Sequence, residues 1–231
     1  MNILRLPSVT STQDEARDLP LWSVLVSDHQ SAGRGRLDRR WVAPPGTALL
    51  ASFVLPGHPL APLAAGVAAA EACSPRVRLK WPNDLYLEER KLGGILVESH
   101  GQRCIVGVGV NLTWAPPGAA MLNLERDPLL ERLCKRLEVW FASPPEAVLQ
   151  VWRKLSHTLG RQVRVELGDG RSEQGLAEDV DGDGALIVSG RRISVGDVIH
   201  LRETDGETAP GTQARDEGQP WDDDAAGDGR R

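Results

Sequence analysis

Five strand-length apolar runs surround one helix-length stretch between residues 48 and 112, and this order constrains the fold more than any other feature of the chain. Residues 48–55, 77–81, 85–87, 95–99 and 104–112 are short and rich in Val, Ile and Leu, the pattern of strands. Residues 59–72, between the first two, are alanine-rich and read as a packed helix. Pro44-Pro45-Gly46, Pro82-Asn83-Asp84 and His100-Gly101-Gln102 supply turns. Upstream, residues 3–6 and 21–26 read as strands. Between them Thr10-Ser11-Thr12, followed by Asp14 and Glu15, opens a helix with hydroxyl caps that runs to about Leu19, where Pro20 ends it.

Two helices follow, over about residues 128–141 and 145–159, the first with Leu129, Leu130, Leu133, Leu137 and Trp140 on one face. Beyond Gly160 the texture changes. Residues 162–167, 174–180, 185–188 and 197–201 are short strands separated by Gly/Asp turns, a pattern that predicts a small β-barrel. The expected class is therefore α+β: a mixed β-sheet with flanking helices over residues 1–159, and a small C-terminal β-barrel domain over 160–203.

Composition narrows the function classes. With 41% hydrophobic and 26% charged residues, the chain reads as an ordinary soluble protein. No stretch approaches the roughly 20 apolar residues of a membrane span. The N-terminus has no basic-then-apolar export pattern, so no membrane association is expected. Cys73, Cys104 and Cys134 lie far apart among apolar neighbours, the usage of reduced, buried thiols, and the expected compartment is cytoplasmic. The formal net charge of −5 resides wholly in residues 204–231, an acidic tail with no apolar periodicity that is expected to be disordered. Arginine supplies nearly all the positive charge. Of the four lysines, Lys80 and Lys91 fall inside the segments described next.

Between Gly33 and Arg40 the chain sets two glycines among four arginines, after a strand. Glycine lets backbone approach a ligand, and guanidinium grips carboxylate or phosphate oxygens through a two-pronged fork. Such a loop is a candidate anion site, although a solvated basic turn or a non-specific nucleic-acid contact has the same composition. Two further segments stand out. Lys80-Trp81-Pro82-Asn83-Asp84 continues to Arg90-Lys91-Leu92-Gly93-Gly94-Ile95-Leu96, where the paired glycines suggest a bulge. In Gly107-Val108-Gly109-Val110-Asn111, alternating glycines leave one face of a strand without side chains, so a flat ligand or a crossing backbone is expected there.

Together these segments resemble the biotin–protein ligases: Ser11-Thr12, then Gln30 with Gly33-Arg34-Gly35-Arg36 and Trp41, then the two motifs just quoted, in the family's order. The likeness is close over roughly residues 8–112 and looser beyond. It implies a catalytic domain of the class II aminoacyl-tRNA-synthetase/biotin-ligase type. It implies activation of biotin by ATP and Mg²⁺ to biotinoyl-5′-AMP, and transfer of biotin to a lysine of the biotin carboxyl carrier protein of acetyl-CoA carboxylase or a related carboxylase. Homodimers occur in the family. Some members carry an N-terminal DNA-binding segment; few residues precede Ser11 here, so the short form with no DNA binding is expected.

Residue by residue, the resemblance assigns catalysis to Lys91, Arg34 and Arg36. It assigns biotin binding to Ser11, Thr12, Gln13, Gln30, Gly33, Arg34, Gly35, Arg36, Lys91 and Gly94. ATP binding falls to Arg36, Arg39, Trp41, Trp81, Asn83, Asp84, Lys91 and Asn111. No side chain is assigned as a direct metal ligand, with Asp84 the candidate. Ser11, Thr12 and Gln30 would meet biotin's ureido group, and Lys91 the carboxylate and α-phosphate. Gln13 stands where asparagine is usual, and Leu37-Asp38 where a basic residue and glycine are frequent. The alternatives are a lipoate–protein ligase, with related adenylate chemistry, and a nucleic-acid module using Arg34 to Arg40 as a phosphate clamp. The second leaves Lys91 and the glycine strand unexplained. The five histidines show no arrangement for nucleophilic catalysis.

Overall fold

A computed structural model describes residues 1–37 and 39–201. Asp38 and the acidic tail, with the expectations attached to them, lie outside the described residues. Seven strands form a mixed sheet: β1 (Asn2–Val9), β2 (Ser23–Gln30), β3 (Ala48–Pro56), β4 (Val77–Lys80), β5 (Asp84–Leu87), β6 (Arg90–His100) and β7 (Arg103–Asn111). Their order is β1-β2-β3-β7-β6-β5-β4. β1 and β2 run parallel, and every other neighbouring pair is antiparallel.

Period-two alternation sorts the sheet into two unlike faces. On β3, Leu49, Ala51, Phe53 and Leu55 enter the main core, as do Cys104, Val106, Val108 and Val110 on β7. The opposite face carries Leu50, Ser52 and Val54 on β3, and Ile105, Gly107, Gly109 and Asn111 on β7. Helix α2 (Ala61–Cys73) covers the core face, with every residue but Pro62 and Glu71 buried. Alanines suit that place: the helix packs against the sheet on one side and against α3 (Arg126–Phe141) and α4 (Pro145–Leu155) on the other, and small side chains let all three layers approach. Leu129, Leu130, Leu133 and Leu137 are buried as expected. Trp140 is half-buried, its indole N–H donating to Glu71 at 2.9 Å, and Phe141 is buried instead.

Two elements near the N-terminus differ from expectation. Helix α1 is only Thr12–Glu15, because beyond it the amides of Arg17 and Leu19 turn back to Asp14 and Ala16 in separate turns. The second strand starts two residues later than its apolar run and continues to Gln30, so Asp28, His29 and Gln30 belong to a strand paired with β1. Leu21 and Trp22 precede it, with Trp22 at a positive φ of 63°.

The C-terminal part holds five strands: β8 (Gln162–Glu166), β9 (Ser172–Val180), β10 (Leu186–Val188), β11 (Arg191–Ile193) and β12 (Asp197–His200). β11 lies outside the four expected strands. The order is β11-β10-β9-β8-β12, an open antiparallel sheet. Among the described residues no ladder joins β11 to β12, so the expected barrel is a small sheet without closure. Its inward residues, including Val163, Ala177, Leu186 and Val198, join the same core as the larger sheet. Backbone and side-chain bonds reinforce the seam: His157 N–H donates to Leu79 O at 2.7 Å, Trp81 N–H to Thr158 Oγ1 at 3.0 Å, and Trp81 Nε1–H to Gly184 O at 3.0 Å. No helix among the described residues is long and apolar enough to cross a membrane.

Candidate active site

The face of the sheet away from α2 carries a cavity between α1, the Gly33–Trp41 loop and the glycine-bearing strands β6 and β7. One end is a buried polar cluster. Ser11, Thr12 and Gln13 are 1%, 4% and 3% exposed. Thr12 donates to Gln30 Oε1 through both its backbone N–H, at 2.7 Å, and its hydroxyl, at 2.9 Å. These two hydrogen bonds to one oxygen turn the Gln30 amide NH₂ the other way. Ser52 Oγ lies 2.9 Å from Thr12 Oγ1 and 3.1 Å from Gln13 Oε1, so its hydroxyl proton serves one or the other. Gln13 Nε2–H donates to Ile105 O at 3.0 Å.

Ser11 occupies the N-cap position of α1, but its side chain makes no capping bond. Its Oγ is buried without a partner, and so is the indole Nε1 of Trp41. Unpaired buried polar atoms cost about 1–3 kcal/mol each. Both sit on residues lining the cavity, where a ligand with complementary polar groups would satisfy them.

Glycine provides the floor. A methyl added at Gly107 would stand 2.7 Å from Gln13 Oε1, and one at Gly109 would stand 2.7 Å from Cε2 of the Trp41 ring. The bare strand face is thus covered by side chains and a cavity, not by crossing backbone. Gly94 lies under Asp84, Trp41 and Lys91, all within 4 Å of where its Cβ would be. The expected bulge is present: Leu85 pairs Gly93 and Tyr86 pairs Lys91, so Leu92 is the extra residue, and it is fully buried.

The other end is charged. Lys91 Nζ is 2.7 Å from Asp84 Oδ1, and Asn83 Nδ2–H is fixed on Ile95 O at 2.7 Å. The arginine loop closes on itself through Trp41 N–H to Gly33 O, at 2.9 Å, and Gly35 N–H to Arg39 O, at 2.7 Å. A side chain at Gly33 would collide with Trp41 O at 2.5 Å, so the loop requires glycine there. Leu37, at its tip, is exposed and has a positive φ of 53°. Four loop arginines line the cavity: Arg40 donates to Ser31 O at 2.9 Å, and the other three are held by protein carboxylates. Arg34 pairs with Glu98 and, at 3.5 Å, with Asp14. Arg39 pairs with Asp197, and Arg36 Nη1 lies 3.7 Å from the same carboxylate. Burial lowers the Arg36 guanidinium from its ordinary value, and Asp197 and Asp84 oppose that shift.

The cavity therefore unites Ser11, Thr12, Gln13, Gln30, Arg34, Gly35, Arg36, Arg39, Trp41, Asn83, Asp84, Lys91 and Gly94. Three expected residues stand apart from its lining. Gly33 acts by closing the loop. Trp81 is 2% exposed and turned toward Gly184 by its indole N–H, where it borders a neighbouring groove that Arg36 and Asn83 also reach. Asn111 is buried and donates to Ala120 O at 3.0 Å, tethering the segment after β7. Sequence reasoning missed Ser52 and Asp197. Ser52 is the polar exception in the apolar alternation of β3, a signal present in the chain. Asp197 comes from the C-terminal sheet, and only tertiary packing brings it to the loop.

A mixed sheet with helices on one face and a glycine-floored, arginine-fringed cavity on the other defines a class. Residues 6–112 match the Biotin/lipoate A/B protein ligase family and residues 158–201 match the Biotin protein ligase C terminal domain. A biotin--[acetyl-CoA-carboxylase] ligase of Mycobacterium tuberculosis is 36% identical over 78% of this chain and 79% of that protein. The bifunctional ligase/repressor BirA of Escherichia coli is 32% identical over 79% of this chain and 68% of its own length. The biotin protein ligase of Aquifex aeolicus, solved with biotin and ATP, superposes with a TM-score of 0.76 at 27% identity, covering 87% of this chain and 99% of that one. The chain belongs to the biotin protein ligase family.

Proposed function

We propose that this protein activates biotin with ATP to biotinoyl-5′-AMP and pyrophosphate, then transfers biotin to a lysine of a biotin carboxyl carrier domain. The observation that carries this is one cavity with two chemically opposite ends. A buried neutral polar cluster, with Ser11 Oγ unpartnered, suits a urea-like head. Lys91 and the arginine loop, beyond an apolar and glycine-bare floor, suit a carboxylate meeting a phosphate. The relatives named for biotin favour it over lipoate as the acid.

In the first step a carboxylate oxygen attacks the α-phosphorus. Two unit charges about 4 Å apart repel by roughly 4 kcal/mol at an effective dielectric of 20. Lys91 is the compact cation to offset this, with its ammonium held toward the cavity by Asp84 at 2.7 Å. Arg34, Arg36 and Arg39 exchange their present carboxylate partners for the biotin tail and phosphate oxygens, and the loop closes over the adenylate. Ser11, Thr12, Gln13 and Gln30 hold the ureido head, while Gly35 and Gly94, beside Arg39 and Lys91, border the biotin tail. Trp41 borders the adenylate, with Asn83 on the nucleotide side. Trp81 and Asn111 support the nucleotide side from outside the cavity.

Mg²⁺ is normally held by one or two carboxylates plus substrate phosphates. Asp84 fits that chemistry and would hold it beside Lys91, where the ion would neutralise phosphate charge. In the second step the carrier lysine attacks the mixed anhydride and AMP leaves, so proximity does most of the work and no activated protein nucleophile is needed. The division into a catalytic part, residues 1–159, and a smaller C-terminal part belongs to this proposal, as does a homodimer. The buried, unpaired thiols support a reducing, cytoplasmic setting.

Incubation with ATP, Mg²⁺ and either biotin or lipoate, followed by mass analysis, tests the assignment: biotinoyl-AMP is expected, and lipoyl-AMP alone would overturn it. Lys91→Ala should lower adenylate formation at least ~10²-fold with an unchanged circular-dichroism spectrum. Wild-type pyrophosphate release by that variant would remove Lys91 from the chemistry.

A further inference from the structure

Outside the cavity, three elements bring together side chains that the proposed reaction does not use. Glu89 lies in the turn between β5 and β6, His157 between α4 and β8, and His200 at the end of β12. One potential ligand atom from each lies within 4.8 Å of the other two. His157 Nε2 is 3.2 Å from Glu89 Oε2, and the two imidazole centroids are 5.0 Å apart. Tyr86 stacks on His157 at 5.2 Å and closes one side. His157 is only 7% exposed and its Nε2 faces no group but the Glu89 carboxylate, while His200 Nε2 is shielded from solvent without a hydrogen-bond partner. Two imidazole nitrogens from separate elements thus converge on one carboxylate, and a metal ion would displace the His157 Nε2 proton.

We propose that Glu89, His157 and His200 form a binding site for a zinc-like divalent transition ion, ligated through one carboxylate oxygen and two imidazole nitrogens, with a fourth position left to water. Two histidines and a glutamate are a recognised zinc donor set. Zinc–nitrogen bonds of about 2.0–2.1 Å put tetrahedral ligand atoms roughly 3.3 Å apart, which the 3.2 Å Glu89–His157 separation already meets. His200 would rotate to close the remaining distance, and exposed Glu89 would give up one of its two Arg161 hydrogen bonds to follow. Imidazole donors favour zinc, nickel or copper over magnesium, so this site is chemically separate from any ion that accompanies nucleotide phosphates.

Nearby charge sets the terms of binding. Arg161 holds both oxygens of Glu89, at 3.0 and 3.1 Å, and its Nη2 is 3.4 Å from His157 Nδ1. Ligation through Nε2 places the His157 proton on Nδ1, so Arg161 must leave that nitrogen. It keeps Glu89 Oε1 and orients the carboxylate whose Oε2 turns to the ion. Lys80 donates to Tyr86 OH at 3.2 Å, and burial lowers its ammonium from the ordinary value against the opposing pull of Asp84 and Asp197. The ion would fasten the turn that leads into Lys91 to β12, whose first residue, Asp197, grips the arginine loop. The proposal rests on the fold alone and does not depend on the reaction.

Full-length protein, stripped with a chelator, is titrated with Zn²⁺ against a chromophoric competitor and melted with and without the ion. One Zn²⁺ per chain is expected, with a raised Tm and no competition from a hundredfold excess of Mg²⁺. Glu89→Gln and His200→Gln each remove a direct ligand, so they should weaken binding by more than the ~10-fold that loss of even an outer-shell partner costs, and abolish the Tm rise. Glu89 is exposed, so its variant retains the fold even if the histidine variant does not. No stoichiometric binding by wild type, or equal binding by wild type and Glu89→Gln, would overturn the site.

Discussion

At the residue scale, the Thr10-Ser11-Thr12 hydroxyls have a different use from the one their pattern suggests. Serine and threonine ahead of acidic residues are ordinary capping signals, yet Ser11 Oγ caps nothing, and Thr12 donates its hydroxyl to Gln30 across to β2. Ser52 supplies the support behind them. Ser52→Ala removes a buried donor shared by Thr12 and Gln13, and should cost about 1–3 kcal/mol of stability. Within the proposed reaction it raises KM for biotin while leaving kcat near wild type; a selective fall in kcat would place Ser52 in the chemistry instead. The three cysteines make a simpler case. Burial pushes the Cys73 thiol up to about 12 and Cys104 to about 11, and raises Cys134. Thiolate is the reactive form, so a disulfide reagent at pH 8 should label none of them quickly in the native protein and all three in denaturant. Rapid native labelling of Cys73 would contradict its burial.

At the element scale, the arginine loop is a clasp between the two sheets. Its glycines were legible as sites of close backbone approach, and Gly33 meets that requirement against Trp41. The partners of its arginines were not legible. Glu98 lies on β6 and Asp197 on β12, and no spacing rule connects either to residues 34–39. Asp197→Asn removes the carboxylate beside Arg36 and Arg39, so the ligand-free loop should be cut by trypsin several-fold faster, with cleavage mapping to residues 34–40. Unchanged cleavage would mean the loop is held by its own backbone bonds. Short α1 and extended β2 reflect the same competition: local signals favoured a longer helix and an earlier loop, but pairing with β1 draws Asp28, His29 and Gln30 into the sheet.

Across the whole molecule, one hydrophobic core spans both sheets, with α2 buried between the larger sheet and α3 and α4. Leu129 is fully buried on α3. Leu129→Ala should therefore cost about 2–5 kcal/mol, read as a lower denaturant midpoint with an unchanged m-value. Because the smaller sheet contributes to that core, the main sheet and C-terminal strands should unfold in a single transition seen alike by far-ultraviolet circular dichroism and tryptophan fluorescence. Two separated transitions would show that the seam at Thr158 and Gly184 is weaker than its bonds imply.

Local residue patterns suffice for the alternation of elements, the buried helix, the turn positions and the motifs that mark the family. Each of these is written within a few residues, in apolar period or in a residue type that its backbone requires. Packing in three dimensions is what makes Ser11 an unpaired donor and not a cap, sets Ser52 behind the polar end, and turns Trp81 away from the cavity. It likewise decided that Asp197 reaches the arginine loop and that Glu89 meets His157 and His200. Those outcomes depend on which faces of distant strands meet once the core excludes water, and hydrogen bonds and ion pairs over such separations leave no local trace in the chain.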